Sequence, residues 1–111
     1  MYNYSKYSNS ILKDELICDD IKNFIINCRE GKNETDELIF AHEFNRRYKG
    51  DAKITILYDK YYVKIKLEIL AFPDNKKEYQ IPNYSFVDEL IDVIYKAIDV
   101  LYWTAFIQDN N

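Results

Sequence analysis

Residues 53 to 72 alternate apolar and polar positions with period two. Ile54, Ile56 and Tyr58 share one face, and beyond Asp59-Lys60 the residues Tyr61, Val63, Ile65, Leu67 and Ile69 continue it. A β-hairpin follows from that pattern. A two-residue loop at Asp59-Lys60 sets Tyr58 opposite Tyr61, Ile56 opposite Val63 and Ile54 opposite Ile65, so register and core face agree. Asp-Lys lacks the glycine that such a turn favours, which leaves a longer loop with shifted register as the alternative. Phe72-Pro73-Asp74-Asn75 is a turn signal, and Glu78 to Ile81 reads as a short third strand before Pro82.

Outside that stretch the period is helical. Ile11 to Glu30 brings Ile17, Ile21, Phe24 and Cys28 to one stripe widened by Leu16 and Ile25, and Gly31 stops it. Asp14, Glu15, Asp19 and Asp20 occupy its early turns, where carboxylates suit the positive helix end without any catalytic role. Thr35 to Lys49 reads as a second helix with Phe40, Phe44 and Tyr48 as its inward row and Gly50 past its end. The last helix runs from about Phe86 to Ile107, with Ser85 as its cap and Asp88 three residues on.

In that last helix Asp88, Asp92, Lys96 and Asp99 fall on one stripe, and Leu90, Ile91, Ile94, Ala97, Ile98 and Leu101 fill the opposite arc. Past Asp99 the stripe is continued by Trp103, Phe106 and Ile107, so the helix becomes apolar nearly all round. Tyr102, Trp103, Phe106 and Ile107 are therefore the candidate partner-binding residues, unless the rest of the chain covers them. Acidic residues and a lysine within the span exclude a membrane helix.

The expected fold is α+β: two N-terminal helices, a three-stranded antiparallel sheet and a long C-terminal helix packed on the sheet. Residues 1–10 read as a tyrosine-rich N-terminal arm carrying Tyr2, Tyr4 and Tyr7, and 11–111 as a single α+β domain without linker or repeat. The coarse order is similar in topology alone to the α-β-β-β-α layout of double-stranded-RNA-binding domains. The lysine cluster those domains carry at the start of their final helix is replaced here by Ser85-Phe86-Val87-Asp88-Glu89, so no property of that family is carried over.

At 111 residues the chain suits one domain with a real core. Its two glycines, Gly31 and Gly50, belong to no phosphate-cradling or dinucleotide motif. The net charge of −4 conceals three blocks: −3 over residues 1–41, +4 over 42–66 and −5 over 67–111. The middle block, with Arg46, Arg47, Lys49, Lys53, Lys60, Lys64 and Lys66, either pairs internally or presents an anion-binding face. Together with Tyr62, the cations Lys53, Lys64, Lys66, Arg46 and Arg47 form the candidate nucleic-acid or anion site, since lysines hold phosphates and a ring stacks on bases. In the two-residue-loop register Lys53 and Lys66 sit opposite one another, a mildly unfavourable pair.

Chemistry has little to stand on. His42-Glu43 opens like a zinc-protease helix, but Arg46 stands where the second histidine belongs, so no metal is expected. Cys18 and Cys28 lie about 15 Å apart along one helix, too far to bridge, and read as thiols in a reducing, cytoplasmic compartment. No nucleophile stands beside a base in any recognisable pattern, so neither enzyme activity nor a cofactor is expected.

Eleven tyrosines, six phenylalanines and one tryptophan exceed what this core needs, and tyrosine and tryptophan are favoured in binding hot spots. The expected function is a small acidic, non-catalytic protein-binding module, acting as a homodimer through the last helix or as an inhibitor of a larger protein. Acidic, motif-free chains of this size and composition are common among phage and mobile-element accessory proteins, including inhibitors of bacterial defence systems such as CRISPR effectors. That analogy is one of type, not of motif. The alternative is a nucleic-acid or anionic-nucleotide binder working through the lysine and tyrosine face of the hairpin.

Overall fold

Two periodicities in one chain demand two layers, because a strand face and a helix stripe each need an apolar partner. The computed structural model describes residues 15–42, 52–69 and 76–110, and within them the side chains of 17–40, 52–69 and 76–104. The elements are α1 (Glu15–Arg29), β1 (Glu37–His42), β2 (Ala52–Tyr58), β3 (Tyr62–Ile69), β4 (Lys76–Pro82) and α2 (Val87–Asn110). The strands form one antiparallel sheet in chain order, β1-β2-β3-β4. The α+β class therefore stands, with one helix ahead of the sheet instead of two and four strands instead of three among the described residues.

The correction falls on the second expected helix. Glu37-Leu38-Ile39-Phe40-Ala41-His42 is strand β1, paired with β2 from Glu37 opposite Leu57 to His42 opposite Ala52. Leu38 and Phe40 pack against the core, whereas Ile39 points away and is half exposed. A run this short fits period two and period 3.6 alike, and only the open edge of β2 decides between them. Phe44, Tyr48, Arg46 and Arg47, the arm tyrosines, and residues 70–75 lie outside the described residues.

The hairpin keeps its predicted face and loses its predicted register. Tyr58 pairs with Val63, Ile56 with Ile65 and Ile54 with Leu67, two residues later on β3 than a two-residue loop gives. A shift of two preserves the inward side of every strand residue, so the core face is unchanged. The turn chemistry selects it: Asp59 Oδ2 accepts from the Tyr61 amide at 2.9 Å, and the Asp59 amide donates to the Tyr62 carbonyl at 3.0 Å. An aspartate side chain thus does locally what glycine would do in a tighter turn. Lys53 now faces Glu68, and Lys66 faces Thr55, which removes the expected lysine pair.

Helix α1 ends as its sequence demands. Gly31 takes φ +69°, the Lys32 amide donates to the Asn27 carbonyl at 2.9 Å, and the Gly31 amide donates to Cys28 at 3.2 Å. That is a Schellman closure, with glycine at the left-handed position. Helix α2 lies across β3 and β4 and against α1. Its first intrahelical bond runs from the Leu90 amide to the Phe86 carbonyl at 3.0 Å, which puts the cap at Phe86, one residue beyond the expected Ser85. Both helices cover one face of the sheet. Cys18, Ile21, Phe24 and Ile25 of α1 and Leu90, Ile91, Ile94, Tyr95, Ile98, Leu101 and Tyr102 of α2 enclose Ile54, Ile56, Val63, Ile65, Leu67 and Ile81. Among the described residues no helix is long and apolar enough to cross a membrane.

Candidate functional site

The apolar end of α2 is partly absorbed by the core. Tyr102 is fully buried, and Trp103 is half-buried, packed against the core with its ring edge-on to Tyr102 at 5.5 Å between centroids. Tyr102 thus offers no area to a partner in this fold. The side chains of Phe106 and Ile107 lie outside the described residues, although the backbone there is helical. Val100, half exposed, and Thr104 take the water-facing line beyond Lys96.

The sheet face turned away from the helices carries the candidate anion-binding residues. Lys53 and Lys66 are exposed, Lys64 is half-buried, and Tyr62 sits at the end of β3 opposite Pro82. Cross-strand order interleaves these cations with acids: Lys53, Glu68 and Lys76 are successive neighbours across three strands, as are Thr55, Lys66 and Glu78. Opposite charges in adjacent strands favour one another and leave little net potential for a phosphate backbone. Ile39, Thr55 and Leu57 floor a shallow depression between them.

The two most exposed aromatic rings among the described residues lie elsewhere, in the β2–β3 turn and at the end of the β4–α2 connection. Tyr61 is 74% exposed and Phe86 75%, and Tyr62 and its cross-strand partner Pro82 are exposed as well. Two loops would ordinarily hold such rings loosely. Here Asn83 ties them together: its amide donates to the Tyr61 carbonyl at 3.2 Å, and its Nδ2 donates to the Asp59 carbonyl at 2.9 Å. The Tyr84 amide closes a tight turn on the Pro82 carbonyl at 3.0 Å.

Arg29, the last residue of α1, completes the joint. Its guanidinium donates to the Ser85 carbonyl at 2.7 Å, to Asn83 Oδ1 at 2.8 Å and to the Tyr84 carbonyl. A planar fork with several donors suits a cluster of carbonyl acceptors, where a single ammonium would reach fewer of them. Lys22 adds a second strut to Asp88 at 3.3 Å, joining α1 to the first turn of α2. Lys60 Nζ lies 4.9 Å from the centroid of the Tyr61 ring, within cation–π range. Asp88 and Glu89 follow directly on Phe86, so the aromatic end has an acidic border.

Sequence periodicity does not reveal this site, because its residues lie in loops and its fastener, Arg29, is 54 to 56 residues away from what it holds. The available signal was smaller: adjacent tyrosines in a turn and an aromatic residue ahead of an acidic helix start.

The two cysteines have separate surroundings. Cys18 is buried and accepts a hydrogen bond from the Tyr95 hydroxyl. Cys28 is half-buried; burial pushes its thiol pKa up and the Asp36 carboxylate adds to the rise, while the Asn33 amide, 3.1 Å from Sγ, acts the other way. A raised thiol makes a poor nucleophile at neutral pH. Among the described residues no cluster of three or more histidine, cysteine or acidic side chains is arranged to hold a metal ion. No family model matches the chain, and no curated protein or solved structure matches it.

Proposed function

We propose that the chain is a non-catalytic protein-binding module whose contact surface is the aromatic loop end of Tyr61, Tyr62, Pro82 and Phe86. The observation that carries the reading is that two strongly exposed rings stand on loops fastened by Asn83 and Arg29. Aromatic side chains carried on a fastened backbone need less ordering on binding than the same rings on loose loops, and aromatic anchors in a polar surround are what protein-binding surfaces use. The acidic border favours a partner that offers an apolar pocket edged with basic residues. In its fuller form the reading is an acidic cytoplasmic accessory protein, of phage or mobile-element type, that inhibits a larger host defence protein by occupying such a pocket.

The test is quantitative capture from the native host with the wild-type chain, the Tyr61→Ala/Phe86→Ala variant and Trp103→Ala, read by mass spectrometry. A captured protein that the double variant loses, while circular dichroism is unchanged, supports the assignment. Equal capture by the double variant and wild type overturns it, and loss confined to Trp103→Ala returns the binding surface to the end of α2.

A further inference from the structure

The sheet has two edges, and they are built differently. Strand β4 carries Lys76, Lys77 and Glu78 at one end and Pro82 at the other, the charges and missing amide that discourage further pairing. Strand β1 has only Leu38, Ile39, Phe40 and Ala41 between Glu37 and His42, and among the described residues no strand pairs on its outer side. The register fixes which of its backbone groups face outward. The Tyr58 amide donates to the Asp36 carbonyl at 2.7 Å, so positions 36, 38, 40 and 42 bond to β2. In an antiparallel ladder the alternate residues, Glu37, Ile39 and Ala41, then direct their amides and carbonyls to the open edge.

We infer that β1 pairs with β1 of a second copy of this chain, antiparallel about a two-fold axis at Ile39, to form a continuous eight-stranded sheet with α1 and α2 of both copies on one face. Parity leaves few registers, because outward-facing residues must meet outward-facing residues and core sides must match. Placing Ile39 opposite Ile39 gives the longest overlap: Glu37 meets Ala41, Leu38 meets Phe40, and position 36 meets position 42.

Two features favour a second copy as the occupant. First, Ile39 is half exposed on the outer face and would gain an identical apolar neighbour at the axis. Second, the outer-face charge order continues across the seam. Position 41 pairs with Lys53 of β2, so Glu37 of the second copy lies two strands from Lys53, about 9 to 10 Å. The sequence Lys76, Glu68, Lys53, Ala41, Glu37 then keeps its alternation through the dimer axis. An edge contact of this length belongs to the small, exchanging class of interfaces, so association belongs in the high micromolar range rather than the nanomolar.

The experiment uses the full chain. Sedimentation from about 10 μM to about 1 mM should show a monomer–dimer equilibrium, and Ile39→Lys, which sets two lysines face to face on a solvent-facing position, should weaken it at least tenfold with circular dichroism unchanged. In a Cys28→Ser background, Ile39→Cys should oxidise to a covalent dimer, since paired residues of this type lie about 5.5 Å apart at Cα, within disulfide reach. Gln80→Cys on β4 should not. A chain that stays monomeric throughout, a dimer indifferent to Ile39→Lys, or equal cross-linking at positions 39 and 80 each overturns the inference. The outcome is independent of the aromatic loop end, which lies at the turn between β2 and β3.

Discussion

Replacing Arg29 with alanine removes a side chain that holds α1 to the connection between β4 and α2. Its guanidinium makes three hydrogen bonds there, two to carbonyls and one to Asn83 Oδ1. Hydrogen bonds from a charged donor are worth about 1.5–3 kcal/mol each when one partner is lost, but these are part-exposed and the Ser85 carbonyl rehydrates freely. Taking one bond's worth from the part-buried pair and little from the exposed one gives a loss of about 2–3 kcal/mol in all. For a domain of this size that lowers Tm by about 8–12 °C. Urea unfolding followed by circular dichroism measures it, with unchanged m-values showing that the same surface is still exposed. Arg29→Lys should recover less than half, because a point charge does not span three acceptors. A double cycle with Asn83→Ala should show coupling of about 1 kcal/mol. If Arg29→Ala costs less than about 0.5 kcal/mol, as an ordinary surface change does, the clamp is not fastening the two loops and the rigidity assigned to the aromatic end is wrong.

Other substitutions probe separate parts of the fold. Tyr102→Ala removes a fully buried ring and should cost about 3–5 kcal/mol by thermal denaturation, whereas Phe86→Ala should stay within about 0.5 kcal/mol. Near-equal losses at the two positions would contradict the assignment of one ring to the core and the other to the surface. Gly31→Ala meets no atom within 4 Å of the new Cβ, so its cost is backbone strain alone, about 1 kcal/mol in urea melts. Gly31→Asn should cost less, and an asparagine variant weaker than the alanine one would argue against the left-handed closure. Cys28 has a raised thiol pKa, so the native state holds its proton more tightly than the unfolded chain does. Its contribution is complete below the ordinary thiol range and fades as pH rises through that range toward the raised native value. Cys28→Ser should flatten that alkaline loss, and an unchanged pH profile would refute the attribution.

How far the sequence reached depends on what each signal controls. The inward faces of β2 and β3 were legible because period two fixes parity, and the residues from Ile54 to Ile69 keep their sides whatever the loop. Register was not, because it was set by the Asp59 side chain, whose turn competes on equal terms with a shorter one. β1 was read as helix since Leu38, Ile39 and Phe40 satisfy both periods, and the evidence for a strand lay in β2, not in β1 itself. The end of α1 is legible at Gly31 because a glycine after an apolar helical stripe commonly stops the helix, and its φ of +69° shows how. The surplus at the end of α2 was overcounted: Tyr102 lies on the inward arc with Ile98 and Leu101, which a helical wheel shows once the core side is known. The aromatic loop end escaped notice because Arg29 and Asn83 act across more than fifty residues, and no local pattern encodes that meeting.

The order of the elements also bears on how the chain is made. All four strands precede α2, and α2 supplies the larger part of the cover over β3 and β4. On a ribosome the sheet's apolar face, with Ile54, Ile56, Val63, Ile65 and Leu67, is therefore synthesised before the helix that shields it. Until α2 emerges, a nascent chain has α1 as its only described cover and the apolar run Leu38–Ala41 along the β1 edge, the combination that makes partly made proteins aggregate.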